Sequence, residues 1–262
     1  MRNGNGTENR TNGTNGTDGR RLRDLLDELH DPTDLACCFL RLAERRIKDW
    51  GVTLHWHTDF SGLVEINEAN RGNRWFPLSP MFHPETYQGG QAFWMEGRAD
   101  LSGEPVFTQA ARCYRLHDGT LADEITSLRI FYDEPADKAS ATEACACGAQ
   151  VAGRLSGVVL YSGGTWARRD MRGKGVAAVL PRISRMLASR LWGQDYTISL
   201  VDPVLIEKGV VGAYGYHLAE AGIHWTNSAS QGDIDLALVA MDRQEMLRDL
   251  NSCMALGAAI PA

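Results

Sequence analysis

The chain has 262 residues, 44% of them hydrophobic and 23% charged, with a net charge of −6. That balance suits a soluble globular protein with a sizeable core, and the acidic excess argues against broad binding to nucleic acid or anionic membrane, which need a basic surface. No apolar run approaches the ~18 residues of a membrane span, and the polar start MRNGNGTENRTNGTNGTDG lacks the apolar core of a secretory signal.

Residues 1–19 read as a disordered Gly/Asn/Thr tail, so the acceptor patterns at Asn5, Asn9, Asn12 and Asn15 are not expected to carry glycans. A first amphipathic helix is expected from near Arg20, with Leu22, Leu25, Leu26 and Leu29 on one face. The second has Asp31 as cap, Pro32 in the first turn and Asp34 to complement the dipole. Leu35, Phe39, Leu42, Ala43, Ile47 and Trp50 then recur at helical spacing until Gly51. Strands are expected at Val52 to Thr58, Gln91 to Arg98 and Pro105 to Arg115. The aromatic residues between Trp50 and Trp94, Trp56, Trp75, Phe76, Phe82, Tyr87 and Phe93 among them, fit core packing first and the wall of an apolar pocket second. Leu121 to Tyr132 reads as a short helix, and Asp133 to Ala149 as an exposed connector. Cys145-Ala-Cys147 is half a metal site without a second pair at ligand spacing, so no metal is expected. The six cysteines lack a secreted-scaffold pattern; reduced thiols and a cytoplasmic location follow.

The last third holds most of the functional signal. Gly157 to Tyr161 has the composition of a buried strand continuing through Gly163 and Gly164 to Trp166. After Arg168-Arg-Asp-Met-Arg-Gly-Lys-Gly-Val-Ala177 an amphipathic helix begins, with Val176, Val179, Leu180, Ile183, Met186, Leu187 and Leu191 in one stripe and Pro181 inside it. Tyr196 to Val201 reads as a second buried strand. A helical segment ending near Gly222, a hairpin of Ile223 to Asn227 and Ile234 to Met241, and a closing helix from Asp242 to Leu256 complete the chain. The order implies an α+β fold, a mixed central sheet flanked by helices and parallel in its middle.

A helix N-terminus presents unpaired N–H groups and the positive end of the dipole, and glycines let an anion approach them closely. Arg172-Gly173-Lys174-Gly175-Val176-Ala177 supplies both, with Arg168, Arg169, Arg172 and Lys174 adding positive charge. A P-loop is excluded, because Gly175 follows Lys174 where a hydroxyl should meet magnesium, and Arg168 occupies the place of the first glycine. The Rossmann fingerprint lacks its third glycine.

This hexapeptide resembles the [QR]-x-x-G-x-[GA] loop of the GNAT superfamily of acyltransferases, and the strand, helix, strand and hairpin around it come in that family's order from about Leu155 to Met241. Ala221-Gly-Ile223 resembles the Leu-Gly-Phe that ends the family's next helix. The resemblance implies a single GNAT-like domain over residues 20–262: N-terminal helices and strands to 132, the connector 133–149, a cofactor-binding core 150–241 and a C-terminal helix 242–256. It implies that the amides of Arg172, Gly173, Lys174, Gly175, Val176 and Ala177 hold the pyrophosphate of acyl-coenzyme A. Thr165, Trp166 and Ala167 would bond the pantetheine arm, and a bulged N–H there would polarise the thioester.

The implied reaction is direct attack by a substrate amine, a small molecule or peptide, on an acyl-CoA, acetyl-CoA by family frequency. The position four residues before the expected Leu-Gly-Phe glycine, where the family keeps a tyrosine acid, is Leu218 here. Tyr216, ahead of Tyr214, is the candidate for protonating the thiolate. Glu96 and His217 remain open as bases, and His55 and His57 share a strand face without a third metal ligand. A module that binds acyl-CoA without turnover, and a synthase using longer acyl chains, are the alternatives.

Overall fold

In the computed structural model, which describes residues 19–28, 31, 34–71, 75–87 and 89–255, one mixed sheet runs across the molecule. Its strands are β1 (Arg20–Arg21), β2 (Val52–His57), β3 (Ala92–Ala99), β4 (Pro105–Leu116), β5 (Ala144–Cys147), β6 (Gly157–Ala167), β7 (Tyr196–Val201), β8 (Leu218–Ser228) and β9 (Gly232–Asp242). They lie in the order β1-β2-β3-β4-β6-β7-β9-β8-β5. Among the described residues only β6 and β7 pair in parallel; every other neighbouring pair is antiparallel.

The helices are α1 (Leu22–Glu28), α2 (Leu35–Asp49), α3 (Ser61–Asn70), α4 (Leu121–Thr126), α5 (Pro135–Lys138), α6 (Val176–Trp192), α7 (Pro203–Glu207), α8 (Val210–Ala213) and α9 (Arg243–Ala255). Alternation along the strands sends side chains to two apolar layers. One joins Phe93, Met95, Phe107 and Leu160 to α1, α2, α6 and α9. The other joins Trp94, Ala110, Tyr161 and Trp166 to α3 and α4.

Most of the expected elements form, within a residue or two at each end. Helix α2 begins later than the sequence implies: its cap is Asp34, whose carboxylate accepts from the Ala36 N–H at 3.4 Å, rather than Asp31. Leu29, Pro32 and the tail before Gly19 lie outside the described residues. Helix α4 stops at Thr126, six residues short of the expected end, where Ser127 caps it and Leu128 takes a φ of 63°. The supposed connector contains an edge strand: β5 pairs with β8, and just before it Glu143 is buried, accepting from Tyr132 Oη and Trp225 Nε1, both at 2.8 Å. Small, weakly apolar residues hid that strand. Leu191 leaves the apolar stripe of α6 and is 38% exposed.

The largest departure lies between β7 and β9. The helical segment ends at Ala213, and Ala221-Gly-Ile223 falls within β8, at a bulge where Gly222 has a φ of 113°. The glycine that ends the helix is Gly215, with a φ of 89°, followed at once by Tyr216. Four residues before it stands Val211, which is apolar and buried.

Candidate functional site

Strands β6 and β7 hold together through three pairs, Val159 with Tyr196, Leu160 with Thr197 and Tyr161 with Ile198, and then part. Each continues on its outer neighbour, β6 against β4 as far as the Ala167–Phe107 pair and β7 against β9 as far as the Val201–Ala237 pair. The inner edge of β6 beyond Tyr161 therefore offers backbone groups that no strand takes up. Near the point of parting, the Tyr161 hydroxyl accepts from the Leu200 N–H at 3.4 Å.

An irregularity in β6 aims this edge. Gly163 pairs with Ala110 and Trp166 with Thr108, so β6 carries one extra residue opposite Gln109. Gly164 absorbs it with a φ of 60°, and a Cβ there would lie 2.9 Å from that of Ala110. Thr108 Oγ1 donates to the Gly164 carbonyl at 2.8 Å and fixes the bulge. The buried Gln109 amide reaches beneath it, donating to Ser162 Oγ at 3.0 Å and the Gly163 carbonyl at 3.1 Å, while Thr165 Oγ1 donates to Gln109 Oε1 at 2.6 Å. Thr165, Trp166 and Ala167 thus stand on the splayed end of the strand.

From Ala167 the chain makes one short 3₁₀ turn, Arg169–Met171, and enters the glycine turn. Gly173 and Gly175 have φ values of 80° and 84°, which glycine adopts without strain. Among the described hydrogen bonds the Arg172 and Lys174 amides reach back to carbonyls at 3.3 and 3.4 Å. The amides of Gly173, Gly175, Val176 and Ala177 have no protein acceptor among them, and residues 172–174 are exposed. The positive charge is smaller than the sequence implies, since Arg168 is engaged by Glu104 at 3.0 Å and by Asp170 at 2.7 Å. Arg172 Nε donates to the Ala167 carbonyl at 3.1 Å, tying the turn to the strand.

A groove of about 870 Å³ opens from this turn. Ala167 and the turn form one end, and Arg182, Ala213 and Gly215 the other. Helix α9 adds a side that no sequence pattern marked, through Glu245, Arg248 and Asp249. Arg182 grips Asp249 with Nε and Nη2 at 2.8 and 2.7 Å and donates through Nη1 to the carbonyls of Ala178 and Ala213. One salt bridge thereby fastens α6, α8 and α9 around the groove.

No protein-family model and no curated protein matches the sequence. Several solved structures resemble the chain. NAA60 of Arabidopsis thaliana in complex with acetyl-CoA is 15% identical, with a TM-score of 0.44 over 73% of this chain and 99% of that one. The aminoglycoside acetyltransferase AAC(6')-Ib with coenzyme A and kanamycin is 14% identical, with a TM-score of 0.43 over 75% and 98%. RimJ of Mycobacterium smegmatis with CoA-disulfide is 14% identical, with a TM-score of 0.42 over 79% and 90%. At these identities the likeness is one of fold.

Strand β6, the glycine turn, helix α6, strand β7 and the closing hairpin β8–β9 come in the order that the sequence resemblance implies. The two candidate tyrosines sit side by side but in different settings. Burial pushes the Tyr214 phenol up to about 12. Tyr216 is buried beside Ser162 and Arg185; burial raises its pKa, while Arg185 and a hydrogen-bonding tendency from both neighbours oppose the rise. Its hydroxyl has no hydrogen-bond partner among the described residues. His217 lies in the groove wall.

Glu96 is on the opposite face of the sheet from α6. Its Oε1 accepts from Arg98 Nε at 2.7 Å and meets His57 Nε2 at 3.1 Å, and its buried Oε2 has no partner. Register sets it two strands from β6, paired with Thr108, which in turn pairs with Trp166. His55 neighbours it on β2, where burial lowers the imidazole pKa. The aromatic segment divides: Phe82 and Phe93 are core, Trp75 stacks on Trp166 with centroids 5.2 Å apart, and Phe76 is 65% exposed. Sequence reasoning missed Gln109, Ser162, Arg182, Arg185 and Asp249. The available signal was a pair of arginines three residues apart inside an apolar helical stripe.

Proposed function

We propose that the protein is a GNAT-type N-acyltransferase that binds acyl-CoA in the groove and passes the acyl group to an amine. The observation that carries this reading is the continuous path from the parted edge of β6 to four free amides at the start of α6. A diphosphate suits those amides and the dipole behind them, and an amide-bearing arm suits an unpaired strand edge.

In this reading the amine attacks the thioester carbonyl, a C–N bond forms and the C–S bond breaks, so no nucleophilic side chain is needed. The bulge at Gly164 turns backbone N–H groups toward the developing oxyanion. One proton leaves the ammonium for a base, with Glu96 through water and His217 as candidates, and one reaches the departing thiolate from Tyr216. The acceptor is a small-molecule or peptide amine, and the cysteine spacing, without a secreted-scaffold pattern, fits a reducing, cytoplasmic setting. Among the described residues no helix is long and apolar enough to cross a membrane.

Incubation with acetyl-CoA and a panel of amines should release free thiol. No release, together with no thermal shift on adding CoA, would remove the proposal. One observation favours a binding-only module: the position where the resemblance implies a phenol is Leu218, and the residue four before the glycine that ends the observed helix is Val211. Stabilisation by CoA without transfer to any amine would select that reading.

A further inference from the structure

Two arginines three residues apart turn inward from α6, and one carboxylate serves both. Arg182 spends its donors on Asp249 and on the carbonyls of Ala178 and Ala213. Arg185 is fully buried; its Nη2 meets Asp249 at 3.3 Å and the Tyr214 carbonyl at 2.8 Å, while Nε and Nη1 have no acceptor. No other acidic side chain among the described residues bonds either guanidinium. Two cations thus share one anion, and a buried charge left uncompensated is strongly disfavoured. Burial works against the charged form of Arg185, and Tyr216 and Asp249 work for it. A guanidinium nonetheless keeps its proton in a protein.

The group set against these unfilled donors is the Tyr216 side chain. Its ring centroid lies 5.3 Å from the guanidinium carbon of Arg185. Its hydroxyl, like Nε and Nη1, has no hydrogen-bond partner among the described residues. The other polar groups around it are few. Strand β6 contributes Ser162 and Tyr161, helix α9 contributes Asp249, helix α6 contributes Arg182 beside Arg185, and Tyr214 lies two residues earlier. Asp249 is the one carboxylate among these, and both arginines already hold it. A neutral phenol is a weak acceptor, whereas a phenolate is a strong one and carries the missing charge. The compartment is therefore unbalanced while the phenol keeps its proton and balanced once that proton has left.

In the proposed function Tyr216 loses its proton once in each turnover. The O–H bond of the phenol breaks, the S–H bond of coenzyme A forms, and the negative charge moves from sulfur to the phenol oxygen. The proton that the base takes from the ammonium balances the one that Tyr216 gives, so the cycle closes through solvent. Burial resists ionisation of this phenol. A fixed cation with spare donors offsets that resistance without rearranging.

We propose that Arg185 is a positioning residue for acyl transfer, acting through Tyr216: its uncompensated charge and free N–H groups hold the negative charge that the phenol takes from the departing sulfur. Arg185 is not among the residues that line the groove, so it touches neither cofactor nor acceptor. Its part in the transfer rests on the acyl-CoA reading; its coupling to the phenol does not.

The test places a fluorinated tyrosine, whose phenol ionises in an accessible pH range, at position 216 or at position 214 of the full chain, and follows its ionisation by fluorine NMR. Tyr214 is the control, because burial raises its phenol too and no cation is among the groups acting on it. The probe at 216, although more deeply buried, should ionise about 10-fold more readily than the probe at 214. Arg185→Met should weaken ionisation at 216 by about 10-fold or more and leave 214 unchanged, and Arg185→Lys, which restores the charge, should recover most of the difference. Arg185→Met leaves Arg182 and Asp249 as a balanced pair, so the variant should fold. If it does not, the comparison of 216 with 214 in the unmutated background still decides. With acetyl-CoA and a responsive amine, Arg185→Met should lower kcat by about 10-fold while CoA affinity stays within about 3-fold, and it should cost nothing further when added to Tyr216→Phe. Equal ionisation at 216 and 214, or no response at 216 to Arg185→Met, overturns the inference and leaves the acyl-CoA reading standing. A loss of kcat that adds in full to that of Tyr216→Phe also overturns it, since Arg185 then acts by another route. The ionisation measurements need no cofactor: the expected shifts in a protein that transfers no acyl group remove the role in transfer together with the acyl-CoA reading and leave only the coupling.

Discussion

Gly175→Glu separates the stability of the glycine turn from its chemistry. Gly175 holds a φ of 84° immediately before α6. A side chain in that conformation costs about 1–2 kcal/mol, and a carboxylate beside the helix N-terminus returns about 0.3–1 kcal/mol through the dipole. The net loss is about 1 kcal/mol, or roughly 2–4 °C in Tm for a chain of this size. Binding should suffer far more. A glutamate at this position competes for the free amides that a diphosphate would use. Two charge-assisted hydrogen bonds at about 1.5 kcal/mol or more each correspond to a loss of about 100-fold in affinity. Calorimetric titration with CoA beside a thermal melt reads both quantities, and Gly175→Ala, which adds the strain without the charge, should melt similarly and keep more of the affinity. A folded Gly175→Glu protein that binds CoA within 3-fold of wild type would show that the phosphates sit elsewhere.

Removing the shared carboxylate with Asp249→Ala leaves two buried guanidinium groups without a counter-ion, worth about 3–5 kcal/mol, so the melting temperature should fall by about 10 °C; a fall under 3 °C contradicts the role given to this salt bridge. Burial raises the Glu96 carboxyl, but hydrogen bonds from His57 and Arg98 outweigh it and hold the group below its ordinary range. A depressed folded pKa means that the stabilisation is present above the unfolded value of about 4.3 and disappears as pH falls through the folded one. Glu96→Gln should therefore be less stable than wild type at pH 7, with the gap narrowing below about pH 4; a gap that stays constant down to pH 3 defeats this account. Tyr216→Phe removes one hydroxyl beside Ser162 and Arg185, so the melt should change by little, about 1 kcal/mol or less, while kcat drops by about 10²–10⁴ if the phenol supplies the thiolate's proton. An undiminished kcat would exclude it from that role.

The sequence revealed the parts of the fold that depend on local pattern. Period-two and period-3.6 runs located β2, β3, β4, β6 and β7 and the helices α1, α2, α6 and α9, because in each an apolar face meets one layer of the core. The glycine turn was legible for a related reason, since positive φ values at Gly173 and Gly175 require the residue type that marks them. Strand β5 was not legible. Ala144–Cys147 has almost no apolar signal of its own, and it forms an edge by pairing with β8 and by the anchoring of Glu143 next to it. The polar heart of the site was also hidden. Arg182 and Arg185 are inward-facing because Asp249, more than sixty residues away, supplies the partner. A single chain pattern contains no trace of that pairing.

The shift of the helix-ending glycine from Gly222 to Gly215 changes which side of the groove can supply a proton. Before the turn, the side chain that faces α6 is Val211, which has nothing to donate. After it, Tyr216 faces the same apolar layer and brings its hydroxyl beside Ser162, on the parted strand. The turn lies tight against the salt bridge, since a Cβ on Gly215 would come within 2.7 Å of Asp249 and 2.8 Å of Arg182. The salt bridge that lines the groove therefore also packs against the turn that carries the phenol. On the proposed reading, the proton donor enters from beyond the turn, beside a charged cluster, while the helical position itself is apolar. The salt bridge also couples the two functions of α9, since any change that frees Asp249 loosens the groove wall and the phenol together.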